Sequence, residues 1–515
     1  MLTHRLLTGI TAILTAAAPT LVNAQRGAPQ NHQHQGEHRA AHYRLFDMGT
    51  LGGPRSVFPF RAAIISETGE AVGFSDTAAP VTPANFDFAC DYRFVAHAFV
   101  WHQGDLHVLP GLSQDGCTLS LQVNERHEII GISENGIIDP FTGTIQVRGV
   151  IWRDGKVDDL GTLGGNGSIT TSINRHGQIV GWAENDIIDP VSIFGGTQTR
   201  AVLWDGEDRR PLDLGTLGGP DSFANYMNDR GQVVGDSFLD ENVSPITGLP
   251  TVTQFLWCKG RMKDLGNLGG TFSEALQINN YGQVLGHATL PGDLKIHPTF
   301  WEDDRLVDLT VSSHGGSLLT ANWLTEDGEL VGAADFTSVG GPVFGGAIWK
   351  RGHLTNIDTE DADCGVEAWG MNDHGKVVGS ATCGDETHAW LWNGGHAIDL
   401  NTLVPSDAPL HLVRGLMIGE HGDIVGIGVP VGVSDEDFLI SGHAFVLAVV
   451  EDEDGDEDYQ SASPTVPVVP RVARSHSQTF TPPTKEAMMK LHELVAAELR
   501  PFSLRTLGLR HLAPR

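Results

Sequence analysis

The chain has 515 residues, with 64 acidic side chains against 33 basic ones and a formal net charge of −31. That balance excludes phosphate-backbone binding as a main activity, because there is no net cation to release counterions from nucleic acid. The length admits several domains or one large repeat array.

Residues 1–24 read as a secretory signal. Arg5 supplies the positive start, Leu6 to Val22 is apolar and rich in small residues, and Val22-Asn23-Ala24 offers a cleavage site. An uncleaved anchor is the alternative. No later stretch approaches the roughly 18 to 20 apolar residues of a spanning helix, so the expectation is a secreted or periplasmic monomer with no membrane insertion after cleavage. Residues 25–42 are polar and carry His32, His34, His38 and His42, the composition of a linker.

From residue 43 to 450 the chain repeats itself about every 50 residues. The string Asp213-Leu214-Gly215-Thr216-Leu217-Gly218-Gly219 recurs at Asp159 to Gly165, and nearly recurs at Asp47 to Gly53 and Asp264 to Gly270. Eroded copies begin at Asp308, Asp358 and Asp399. After each string come two β-prone runs joined by a turn such as Asn228-Asp229-Arg230-Gly231, then a variable loop, then a run ending in Trp257 or its equivalent, then a short fourth run. Such runs, bounded by Gly, Asn and Asp, predict strands. The turn closes on Gly in seven of eight units and on His127 in the other, a residue that also visits positive φ. Trp101, Trp152, Trp204, Trp257, Trp301, Trp349 and Trp392 hold one fixed position, with Leu447 in the eighth unit. One ring per unit is what packing between sheets requires.

Four short strands per unit predict an all-β fold, an eight-bladed β-propeller, with seven blades as the alternative. The last unit stops one strand short at Val450, while Tyr43-Arg44-Leu45-Phe46 is a strand with no unit of its own. Placing that N-terminal strand outside the last blade closes the ring. Residues 451–483 form an acidic and then Pro-rich linker, and residues 484–515 a basic tail. Its one short amphipathic helix, about Thr484 to Leu499, puts Met488, Leu491, Val495 and Leu499 on one face. The block from Glu451 to Asp458 is an imperfect calcium loop, because Glu457 stands where Gly is wanted and Ser463 where Glu is wanted.

The crossovers and the variable loops fall on one face, the expected binding face. Two neighbouring units share an insertion there, Glu134-Asn135-Gly136-Ile137-Ile138-Asp139-Pro140 and Glu184-Asn185-Asp186-Ile187-Ile188-Asp189-Pro190, echoed at Glu241. Glu134, Asp139, Glu184, Asp189 and Glu241 are the candidate ligand-binding residues. Asp139 and Asp189 are candidate Ca²⁺ ligands, although Asp-Pro turns account for the same pattern. No other cofactor is indicated.

Five cysteines in an exported chain leave one unpaired. A hairpin register in which partners sum to 747 sets Cys364 opposite Cys383. Cys117 has nearly the same repeat position as Cys364, which makes Cys90–Cys117 the second bridge and Cys258 the free thiol. No zinc-protease, Walker or nucleophile-elbow motif is present, and no catalytic pair can be assigned from spacing.

The repeat resembles the extracellular HAF-family repeat through His97-Ala98-Phe99 and His443-Ala444-Phe445, the variant His388-Ala389-Trp390, and the Asp-Leu-Gly-Thr-Leu-Gly-Gly strings. The resemblance implies export and a propeller-like array and carries over no catalytic residue. The resulting expectation is a non-catalytic propeller that binds a protein, glycan or cell-surface component. The alternative is a hydrolase or lyase acting on extracellular polymer at the channel mouth.

Overall fold

The computed structural model describes residues 42–59, 63–85, 93–189, 192, 196–206, 209–241, 250–293, 295–311, 316–339, 344–357, 364–384 and 386–450. The expected signal, the acidic linker, the C-terminal helix and Cys90 lie outside them.

Eight four-stranded antiparallel sheets form a propeller. In blade 4, Ser222–Met227 is innermost, followed outward by Val233–Phe238, Val252–Cys258 and Arg261–Gly266. The eighth blade takes its outer strand from the N-terminus: His42–Asp47 pairs with His443–Val450, from His42 opposite Val450 to Asp47 opposite Phe445. That is the predicted closure, and it gives the last blade the same four strands as the others.

The core lies between blades. Val72, Ala98 and Leu109 of blade 1 pack with Val123, Ile129, Val150 and Trp152 of blade 2. The same arrangement repeats around the ring, ending where Val413 and Val425 of blade 8 meet Val57 and Trp101 of blade 1. Trp152 and Trp204 are fully buried. Each donates its indole N–H to the preceding blade's crossover, Trp152 to the Pro110 carbonyl at 2.7 Å and Trp204 to the Leu160 carbonyl at 2.8 Å. The ring therefore packs and locks register together. Truncating such a side chain costs about 3 to 5 kcal/mol.

The crossover string is a construction device. Its Asp accepts a backbone N–H two residues on, at 2.7 Å from Gly49 to Asp47, 2.8 Å from Gly161 to Asp159 and 2.8 Å from Gly215 to Asp213. The first Gly has positive φ, +83° at Gly215. The last Gly is a contact requirement, since a Cβ at Gly165 would sit 2.5 Å from the Glu184 Cβ. In blades 7 and 8 the same Asp meets the His of the His-Ala-Phe or His-Ala-Trp triplet across the two outer strands, whereas His97 of blade 1 has no such Asp, Val108 standing opposite Phe99. His443 Nδ1 lies 3.0 Å from Asp47 Oδ1, and His388 Nδ1 lies 3.1 Å from Asp399 Oδ2. Blades 3, 4 and 5 rebuild this contact with Arg200–Asp213, Thr253–Asp264 and His297–Asp308. The two repeat motifs are thus partners.

At the opposite end, the hairpin Asn does two tasks. Asn228 Oδ1 accepts from the N–H groups of Arg230 and Gln232, each at 3.0 Å, which shapes the turn. Its Nδ2 donates to the Asn279 carbonyl of the next blade at 2.9 Å. Asn124, Asn174, Asn279 and Asn372 donate in the same way to Asn174, Asn228, Thr325 and Gly419. His127 closes its turn at φ +59°, as expected.

Cys364 and Cys383 form a disulfide with 4.4 Å between Cα atoms. The register is less simple than a single hairpin sum. Met371 faces Val377 beside the turn, a bulge follows between Ala368 and Gly370, and beyond it Gly365 faces Thr382. The bulge corrects the offset of the turn, so the cysteines still meet. Cys258 is free. Cys117 is engaged in a disulfide, and its expected partner Cys90 lies outside the described residues.

Candidate functional site

The second and third strands of blades 2 and 3 run beyond the body of their sheets. Ile129–Ile138 pairs with Ile145–Arg153, and Ile179–Ile188 with Thr197–Trp204. Both hairpins are shaped by the same local chemistry. Asn135 Oδ1 accepts from Ile137 N–H and Asn185 Oδ1 from Ile187 N–H, each at 2.9 Å. Both amides then donate toward the facing strand, Asn135 to Gln146 Oε1 at 3.0 Å and Asn185 to Gln198 Oε1 at 3.3 Å. The repeated insertion in the sequence is therefore a repeated structure.

The turns carry isoleucines where solvent would favour polar residues. Ile137, Ile138, Phe141, Ile187 and Ile188 are between 45% and 69% exposed. Phe141 lies against Gly196 of the next blade, which would bring a Cβ there to 3.7 Å. The two hairpin tips thus stand side by side as an apolar ridge on the loop face.

Between them is a narrow cleft, open to solvent. Blade 2 contributes Asp139, Thr142, Thr144, Ile145, Gln146 and Val147. Blade 3 contributes Asn166, Gly167, Ser168, Ile169, Trp182 and Glu184. Two of the five residues singled out in the sequence, Asp139 and Glu184, meet here. Asp139 is almost fully buried, and its Oδ1 accepts from Phe141 N–H at 2.6 Å and Thr142 N–H at 3.2 Å. Glu184 Oε2 accepts from Asn166 N–H and Gly167 N–H, each at 3.1 Å, and from the Thr197 hydroxyl at 3.2 Å. Burial raises the Glu184 carboxyl above its ordinary range against the lowering effect of those donors, and the Asp139 charge adds to the rise.

The other three candidates stand apart from the cleft. Glu134 is fully buried and accepts from Asn85 Nδ2 and Cys117 N–H, each at 2.8 Å, so it fastens the start of its blade's inner strand. Asp189 accepts from Gln198 Nε2 at 3.0 Å. Glu241 is exposed. Among the described residues, no three His, Cys, Asp or Glu side chains gather as a metal-ligand set, around Asp139 and Asp189 or elsewhere.

Sequence reasoning missed one cluster, where blade 4 meets blade 5. Asp236 is buried and accepts from Asn225 Nδ2 at 2.8 Å. Burial and then the Glu274 charge push its carboxyl well above the ordinary range. Glu274 Oε1 lies 3.5 Å from His287 Nδ1, both side chains being buried. The available signal was an acidic residue inside the β-run Val233-Val234-Gly235-Asp236-Ser237. Its role is visible in the bonding: Asn225, the bulged residue of the inner strand, also donates to the Ala275 carbonyl of blade 5 at 2.9 Å.

No protein-family model matches the chain, and no curated protein matches it. Among solved structures it is similar to the β-propeller domain of the Trilobed protease from Pyrococcus furiosus, at 11% identity and TM-score 0.37, over 70% of this chain and 98% of that one. It is also similar to Pyrococcus horikoshii acylaminoacyl peptidase, at 9% identity and TM-score 0.38, over 76% of this chain and 58% of that one. A puromycin-hydrolyzing peptidase of Mycobacterium tuberculosis aligns at 13% identity and TM-score 0.35, over 75% of this chain and 63% of that one. The chain thus spans less than two thirds of the length of either of these two peptidases.

Proposed function

We propose that the chain is an exported, non-catalytic propeller of the HAF-repeat type that binds a protein, glycan or cell-surface component through its loop face. The observation that carries this reading is the apolar ridge of Ile137, Ile138, Phe141, Ile187 and Ile188. An exposed apolar cluster rimmed by polar side chains is costly to leave in water and marks a docking surface. Much of the rest of the repeat serves to build the ring: the crossover Asp, the hairpin Asn and the Trp152 and Trp204 indoles hold backbone or neighbouring-strand groups. Export is supported by the apolar N-terminal stretch and by the Cys364–Cys383 bridge, which persists in oxidising compartments.

The rival reading, polymer cleavage, has one observation in its favour: Asp236, Glu274 and His287 bring acidic and basic groups together. Their burial argues for a structural role, because substrate must reach a catalytic pair. An array of glycans, envelope polymers and surface proteins, with product analysis on every hit, separates the readings. Retention without product is expected. Released product from any retained polymer contradicts a non-catalytic role.

A further inference from the structure

We infer that the cleft between blades 2 and 3 is a socket for a lysine side chain presented by a protein partner docked on the ridge, an inference that rests on the loop-face reading above.

Each carboxylate in the cleft has one oxygen committed and one free. Asp139 Oδ1 holds its own turn, and Glu184 Oε2 holds the entry to the inner strand of blade 3. Asp139 Oδ2 and Glu184 Oε1 have no hydrogen-bond partner among the described residues. Asp139 is only 7% exposed and lines the cleft, so its second oxygen is an acceptor on the cleft wall. Gly167 keeps Glu184 Oε1 uncovered, since a Cβ at Gly167 would stand 3.0 Å from it. Two mutually repelling carboxylates with unused acceptors favour a cation.

The walls decide which cation. Ile145, Val147, Ile169 and Trp182 line the cleft with apolar surface. Ca²⁺ takes six to eight oxygens, and a partly apolar cleft with two single carboxylate oxygens supplies a poor shell. A guanidinium is best held by both oxygens of one carboxylate, and here each carboxylate offers one. A lysine ammonium carries three divergent donors and can bridge two separate acceptors. Its methylene stem suits the apolar walls, and the Trp182 ring suits the charge. The flanking isoleucines then pack against apolar residues on either side of the partner's lysine.

The test uses the full chain and Nα-acetyl-lysine methylamide, a probe small enough to fill the cleft without touching the ridge. Ligand-observed NMR should show saturable binding, with the norleucine analogue at least tenfold weaker. Asp139→Asn and Glu184→Gln keep the acceptor oxygens that hold the local backbone, and each should weaken the probe at least fivefold without lowering the melting temperature. Gly167→Ala should do the same by covering Oε1. Equal binding of the norleucine analogue, or unchanged binding in all three variants, overturns the socket. So does displacement of the probe by submillimolar CaCl₂, which would make the site a metal site. If the ridge has no macromolecular ligand, the probe still binds, so failure of the docking reading is distinguishable from failure of the socket.

Discussion

Asp236 shows how one buried carboxyl sets a pH response. Its folded-state pKa is raised by burial and by Glu274, so between the ordinary Asp value near 3.8 and the raised value the folded chain holds a proton that the unfolded chain has lost. Stability therefore falls as pH rises through that interval, at about 1.4 kcal/mol per pH unit for one proton. Asp236→Asn keeps an acceptor for Asn225 and removes the penalty. Thermal melts should show the variant more stable than wild type at pH 8, with the gain shrinking toward pH 4; a gain independent of pH would contradict the assignment. The hairpin Asn residues allow a second experiment. Asn228→Ala removes the donor to the Asn279 carbonyl and the acceptor for two turn N–H groups, a loss of about 2 kcal/mol read by denaturant titration. Thr325 occupies the same turn position without an amide, and Thr325→Asn should restore the missing link to Asn372 and add about 0.5 to 1 kcal/mol.

The strand His42–Asp47 is the element on which ring closure depends. It completes the blade of His443–Val450, and Tyr43 donates from its hydroxyl to the Gly422 carbonyl at 3.3 Å. Removing residues 1–47 uncovers one whole strand edge between two packed blades. The truncated chain should lose its sharp melting transition and elute as oligomers in size-exclusion chromatography. A monomer with unchanged melting would show that the N-terminal strand is dispensable. This closure was legible in the sequence because strand count is arithmetic: one strand too many at one end and one too few at the other. The inner-strand bulges were not legible. They recur between Ser120 and Gln122, Thr170 and Ser172, Ala224 and Tyr226, and Ala368 and Gly370, at residues as different as Leu121, Thr171, Asn225 and Trp369. What fixes them is the geometry of the channel wall rather than side-chain type, so no local pattern announces them.

On the scale of the whole molecule, the repeat explains the ring and the departures from it locate the candidate site. The duplicated insertion drew attention to Glu134, Asp139, Glu184 and Asp189, and the fold brings Asp139 and Glu184 together because blades 2 and 3 are neighbours. Glu134 and Glu184 are equivalent in sequence but not in use. Glu134 meets Asn85 from the preceding blade and is sealed, whereas Glu184 opens on the cleft. That distinction depends on the neighbouring blade's loop and cannot be read from the repeat itself. The four ridge isoleucines were within the quoted insertions, but periodicity assigns an Ile pair in a β-run to a core. Only the extension of both hairpins beyond their sheets turns those side chains to solvent. The most direct test of the account replaces Ile137, Ile138, Ile187 and Ile188 with Ser and compares that variant with wild type on the same array of glycans, envelope polymers and surface proteins. A control variant, Tyr281→Ser with His421→Ser, changes exposed turn residues of the opposite face. The account predicts at least a tenfold loss of retention for the ridge variant and none for the control, with melting temperatures unchanged. Full retention by the ridge variant, or loss confined to the control, would contradict it.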